Sequence, residues 1–130
     1  MLSQYLYIST APSLSREEVE KILETSTRNN PAHGITGLLL YNGRNFLQLL
    51  EGEENELVGL MMRIGSDKRH TGVSLLSSTQ IDARSCPDWA MKRMFIAESV
   101  QSRRDTLDDE LPQALDPEIR KMIVNFAVLN

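Results

Sequence analysis

The chain has 130 residues, 41% of them hydrophobic and 25% charged, which is one soluble globular domain by length and composition. Lys and Arg number 14 against 18 Asp and Glu, and the formal charge of −4 leaves no basic surface for nucleic acid or for a membrane held by anionic lipid. The single Cys86 excludes an intrachain disulfide and a multi-cysteine zinc site, no apolar run approaches the roughly 20 residues of a membrane helix, and the Met1-Leu2-Ser3-Gln4-Tyr5 start lacks a secretory signal, so a reduced, cytoplasmic protein is expected.

Residues 3–9 read as a strand, with Leu6 and Ile8 on one side and Tyr5, Tyr7 and Ser9 on the other. A turn follows at Ala11-Pro12. Ser15-Arg16-Glu17-Glu18 is a capping box, and the helix it opens carries Val19, Ile22, Leu23 and Ser26 on one face. That helix is expected to stop near Asn30-Pro31, because the residue before a proline disfavours helix. Two apolar runs, 35–41 and 45–51, flank Asn42-Gly43-Arg44, a strong hairpin signal. Glu53 to Ile64 predicts a second helix with Leu57, Leu60, Met61 and Ile64 inward. Residues 73–81 read as a fourth strand, and 90–97 as a fifth after the loop holding Cys86-Pro87-Asp88.

The order β-α-β-β-α-β plus one more strand predicts an α+β, ferredoxin-like fold, an antiparallel sheet with two helices on one face. Leu38 and Leu40 oppose Leu39 and Tyr41, and Phe46 and Leu50 oppose Leu47 and Leu49, so both faces of the sheet need cover. The C-terminal stretch can supply the second cover. Asp116-Pro117 is an N-cap with proline at the first helical position, followed by the stripe Ile119, Met122, Ile123 and Phe126. A shorter helix over 103–111 stops before Pro112. Residues 1–97 are thus expected to form the main domain, and 98–130 a helical cap on the far face or a contact for another subunit.

Several residues invite a chemical reading beside a plain one. Gln48 alternates with Phe46 and Leu50 and so looks inward, either bonded to backbone or a tyrosine or aimed at a polar ligand edge. Tyr7 shares the inward side of the first strand, as a half-buried aromatic or as a phenol beside a redox cofactor. Asn29 and Asn30 suit a helix C-cap, and equally the imide-like edge of a heterocycle, since each amide both donates and accepts. Ile22 and Ile64 are core residues of the two helices, or two walls of a slot for a flat ring. Arg63 and Asp67 fit an exposed i,i+4 ion pair, and Asp67-Lys68-Arg69-His70 a charged turn with weak claims on phosphate. Trp89 and Met91 straddle the start of the last strand. His33 and His70 do not suggest a metal site, and no phosphate loop, serine elbow or paired-carboxylate signature is present. An acylphosphatase-like hydrolase would want an arginine in the loop after the first strand, where Ser9-Thr10-Ala11-Pro12-Ser13 has none.

Taken in order, Tyr7-Ile8-Ser9, Thr25-Ser26 with Asn29-Asn30, Gly34-Ile35-Thr36-Gly37-Leu38-Leu39, Phe46-Leu47-Gln48-Leu49-Leu50-Glu51-Gly52, Asp67-Lys68-Arg69-His70 and Asp88-Trp89-Ala90-Met91 give the chain its resemblance to the BLUF domain, the flavin-binding blue-light sensor. The resemblance covers residues 4–96. It implies noncovalent FAD with the isoalloxazine between the two helices, Ile22 and Ile64 as walls, and Asn30 on the pyrimidine side. It implies further contacts from Asn29, Gln48, Arg63 and Asp67, and from Arg69 and His70 toward the phosphates. Tyr7 and Gln48 match the photoactive pair, the tyrosine as electron and proton donor and the glutamine as the group whose hydrogen bonding changes to give a reversible red-shifted state. Trp89 and Met91 match the segment that passes the change on. No enzymatic activity is implied. Short members of this kind act on a downstream signalling protein and often form homo-oligomers, and the same is expected here.

Overall fold

The computed structural model describes residues 1–11, 14–66, 71–94 and 100–129, with the backbone alone for 100–102 and 129. Strand β1 (Leu2–Thr10) leads to helix α1 (Arg16–Asn29), and strands β2 (Thr36–Tyr41) and β3 (Asn45–Glu53) form a hairpin. Helix α2 (Glu54–Ser66), strand β4 (Thr71–Gln80) and a three-residue strand β5 (Lys92–Met94) follow, then helices α3 (Val100–Glu110) and α4 (Pro117–Leu129). None of the described helices is long and apolar enough to cross a membrane.

The sheet order is β4-β1-β3-β2-β5. Its first four strands are antiparallel neighbours, the ferredoxin-like arrangement. The fifth pairs parallel to β2, so the sheet is mixed rather than wholly antiparallel. The expected fifth strand begins at Lys92 rather than at residue 90; residues 95–97 lie outside the described residues.

Local chemistry accounts for the boundaries. Both halves of the Ser15–Glu18 capping box are present at the start of α1. After Asn29 the chain tightens into a 3-10 turn over Asn30–His33, which Pro31 permits at its start, and Gly34 closes it at φ 65°. Gly37 is needed for a different reason: a Cβ there would lie 1.8 Å from the Leu49 carbonyl oxygen across the hairpin. Asp116 caps α4, its Oδ1 accepting from the amides of Glu118 and Ile119.

Period-two alternation divides the sheet into two cores. Leu6, Leu38, Leu40, Leu47 and Leu49 point to one face, where Leu107, Leu111, Leu115, Ile119, Ile123, Phe126 and Ala127 cover them. Tyr5, Tyr7, Leu39, Tyr41, Phe46 and Leu50 point to the other, against Val19, Ile22 and Leu57 of α1 and α2. The C-terminal helices therefore cap the far face within one chain. The stripe on α4 is turned from its expected position: Val124 and Ala127 are buried while Met122 is 37% exposed. The helix leans on the side shared by Ile123 and Ala127, which carries Met122 to the rim.

Candidate functional site

Register sets the site. Tyr7 stands opposite Gln48 across β1 and β3, and Gln48 opposite Leu39 across β3 and β2, so the three side chains form one row on the α1–α2 face. Above the row, α1 and α2 leave a cleft of about 200 Å³. Ile22 and Ile64 line it from the two helices, with Asn29, Asn30 and Arg63 around its edge and Tyr7 and Gln48 at its floor. Seven residues singled out in the sequence thus meet in one cavity. The expected contacts Asp67, Arg69 and His70 fall outside the described residues.

The floor is polar inside an apolar wall. Tyr7 is 1% exposed and its hydroxyl donates to Gln48 Oε1. The other end of the same amide, Nε2, lies 3.3 Å from the Met91 sulfur. Among the described residues, one end of Gln48 is held by a phenol and the other by a thioether, a weak acceptor with no proton to give. Asn30 is buried, and its side chain does not cap the helix. Its Nδ2 donates to the Ala90 carbonyl oxygen at 2.7 Å, while its backbone N–H closes the helix on the Ser26 carbonyl. A residue on the rim of the cleft is therefore tied to the segment that carries Met91.

That segment crosses the sheet edge. Cys86 and Trp89 belong to the far-face core and Met91 to the near-face core. The Trp89 carbonyl accepts from Gly37 N at 2.9 Å, and Lys92 Nζ sits 4.4 Å from the Trp89 ring centroid. Burial, and next to it the Glu51 carboxylate, push the Cys86 thiol up to about 12, which keeps it protonated and unreactive. His33 pairs with Glu56 at 2.8 Å, and no cluster able to hold a metal occurs among the described residues.

The cleft also contains residues the sequence reading did not single out as contacts: Thr25, Ser26, Leu39 and Leu60. Two of these carried a signal. Ser26 is four residues after Ile22 and three before Asn29, so a hydroxyl interrupts the buried stripe of α1, and Leu60 stands one turn before Ile64. Leu39 became visible only through the register that sets it beside Gln48.

A family profile described as "BLUF: Sensors of blue-light using FAD" matches residues 2–92. The chain is 38% identical over 92 residues to the photoactivated adenylate cyclase subunit beta of Euglena longa, covering 69% of this chain and 11% of that protein. It thus spans about a tenth of the length of that curated relative. A solved structure described as the dark state of BlrB, a BLUF protein, superposes with a TM-score of 0.70 at 30% identity, over 93% of this chain and 83% of the other. The photo-activated state of BlsA shares the fold, with a TM-score of 0.75 at 24% identity over 100% of this chain and 96% of the other.

Proposed function

The chain belongs to the BLUF family, the flavin-based sensors of blue light, and from that membership we propose that the cleft between α1 and α2 holds FAD and that the Tyr7–Gln48 pair beneath it is the light-responsive element. The observation that carries the reading is the buried Gln48 amide, held at Oε1 by a phenol and at Nε2 by a thioether, on the floor of an apolar slot. Such a slot suits a planar heteroaromatic ring with a polar edge. Ile22 and Ile64 are its walls, Asn30 serves the polar edge, and Asn29 and Arg63 the chain that leads away from the ring. Asp67, Arg69 and His70 continue that path in the same proposal.

The bound flavin supplies blue absorption and an excited state that accepts an electron. Tyr7 would supply both the electron and the proton and take both back, so that the net redox state is unchanged, and Gln48 would supply the memory. Tyr7 keeps its hydroxyl proton at Gln48 Oε1, a bond that fixes which way the amide points. Reversal of the amide, by rotation or by tautomerisation, changes what the phenol meets and what faces Met91. An amide oxygen turned toward the Met91 sulfur finds no donor there, so the reversed form is higher in free energy and returns in the dark. The change reaches Met91, then Ala90 and Trp89, and through them the covered far face, as a population shift between two arrangements. We propose that the output is a protein–protein contact in the cytoplasm, with a downstream signalling protein or a second copy of the chain, and no catalysis by this domain.

The test is a visible absorption spectrum of the purified full chain before and after a blue flash, with the released cofactor weighed. Bound FAD and a reversible red shift are expected. A protein that stays colourless after incubation with FAD overturns the reading, and released FMN overturns its choice of flavin.

A further inference from the structure

Glu51 is fully buried on the far face of β3, and four donors converge on its carboxylate. Oε2 accepts from Gln4 Nε2 at 2.9 Å and from Ser85 N at 2.8 Å. Oε1 accepts from Cys86 N at 2.8 Å and from Thr36 Oγ1 at 3.4 Å. Beside it, Arg84 donates to Thr36 Oγ1, to the Glu51 carbonyl and to the Gly34 carbonyl at 2.9, 2.9 and 2.6 Å. Residues 84–86 are thereby bound to β3, to β2 and to the turn after α1 by side chains from both directions. The stretch after Cys86 is held differently: by Gly37 on the Trp89 carbonyl, by Asn30 on the Ala90 carbonyl, and by the Met91 sulfur against Gln48. One end of the segment is clamped by a carboxylate and a guanidinium, and the other rests on groups of the light-responsive cleft.

We infer that Glu51 is a positioning residue, the stationary anchor of the segment 84–91: it holds the Ser85 and Cys86 amides so that a change at Gln48 moves only the stretch from Pro87 to β5. This rests on the reading of the cleft as a light sensor. The physical reason is that buried amides need an acceptor, and bonds to a charged one are about twice as strong as neutral ones. A segment fixed at Cys86 has few ways to follow Met91, so its dark and lit arrangements stay discrete. Loosening the anchor lowers the barrier between them.

Glu51→Gln keeps the shape but turns an N–H₂ group against one of the N–H donors. In the FAD-loaded full chain it is expected to leave the dark spectrum and the size of the red shift unchanged and to speed dark recovery about fivefold, equivalent to about 1 kcal/mol in the barrier. Hydrogen exchange of the Ser85 and Cys86 amides is expected to rise about tenfold. Gln4→Ala removes a partner of the same carboxylate without touching the segment, and is expected to change neither. A merely structural role lowers the melting temperature in both variants and moves recovery in neither, and that result overturns the inference. Should Glu51→Gln fail to fold, Glu51→Asp keeps the charge and draws the carboxylate back by one methylene from the Ser85 and Cys86 amides, and unchanged recovery and exchange there overturn it equally. A wild-type protein without a flash response sinks the photoreceptor reading instead, and amide exchange still judges the anchor: unchanged exchange in Glu51→Gln overturns it.

Discussion

Leu47 and Leu49 leave one side of β3, Phe46, Gln48 and Leu50 the other, and the two sides are closed by different means. The far side is filled and mostly aliphatic, with the buried Glu51 carboxylate at its edge: leucines of three strands meet α3 and α4. The near side keeps a cleft open and puts an amide and a phenol on its floor. Full burial of a leucine is worth about 1.5–3 kcal/mol, whereas a buried polar pair gains only about 0.5–1.5 kcal/mol per hydrogen bond. Each face has a buried apolar cluster of its own, but the Tyr7–Gln48 pair adds so little to the near one that two hydrogen-bonding arrangements there can lie close in energy. The segment from Arg84 to Met91 contributes to both cores, and in the proposed function it is the route by which the open face addresses the closed one.

Substitutions at matched depths should separate the two faces. The largest effect is expected from Gln48→Leu on the near side, which removes the amide at the cleft floor whose hydrogen bonding is proposed to reverse. Flavin stays bound and the red shift is lost entirely; a shift of wild-type size in difference spectra would refute the division of roles. Leu49→Ala is the far-side counterpart, one residue along the strand. Large-to-small changes at fully buried leucines cost about 2–5 kcal/mol, on the order of 10 °C in melting temperature here. Below that transition the red shift is expected intact, and a lost shift in the folded variant would show that the faces are not separable.

How much of this contrast could be read from the sequence differs from residue to residue. Alternation in Phe46-Leu47-Gln48-Leu49-Leu50 announced a strand buried on both sides, and with it the need for a C-terminal cover. The same alternation put Tyr7 and Gln48 on one face, because period two needs no knowledge of partners. Glu51 was different. A glutamate at the end of a strand reads as surface, and only the pairing of β3 with β1 and β2 brings Gln4 and Thr36 beside it, with Arg84 to Cys86 arriving from more than 30 residues away. Asn30 was legible as an amide at a helix end, but not as a partner of Ala90, 60 positions distant. Loop 81–91 has no period, so which of Trp89 and Met91 enters which core could not be read before the chain was folded.

Smaller effects sharpen the comparison at the edge both faces share. Asn30→Ala is expected to weaken FAD binding about tenfold, the factor given by about 1.4 kcal/mol. Titration of the apoprotein with FAD checks this, and an unchanged Kd would remove Asn30 from the site. The smallest effect concerns Cys86 on the closed side. Its thiol is raised from its usual 9.0 to about 12 in the folded chain. The unfolded chain thus releases this proton first as pH rises, so the contribution to stability is complete below about pH 9 and is lost between about pH 9 and 12. Urea midpoints of wild type and Cys86→Ala at pH 7 and pH 10.5 should show a flatter alkaline decline in the variant. Equal declines would show that the thiol is not shielded.

In the proposed function, Tyr7 and Gln48, at the floor of the open face, convert light into a rearranged hydrogen bond. The most direct measurement is the blue-flash difference spectrum of FAD-loaded wild type beside Tyr7→Phe, a change of one oxygen atom. A reversible red shift is expected in the wild type and none in the variant, with equal flavin content in both. A variant that retains the wild-type shift and recovery would contradict it.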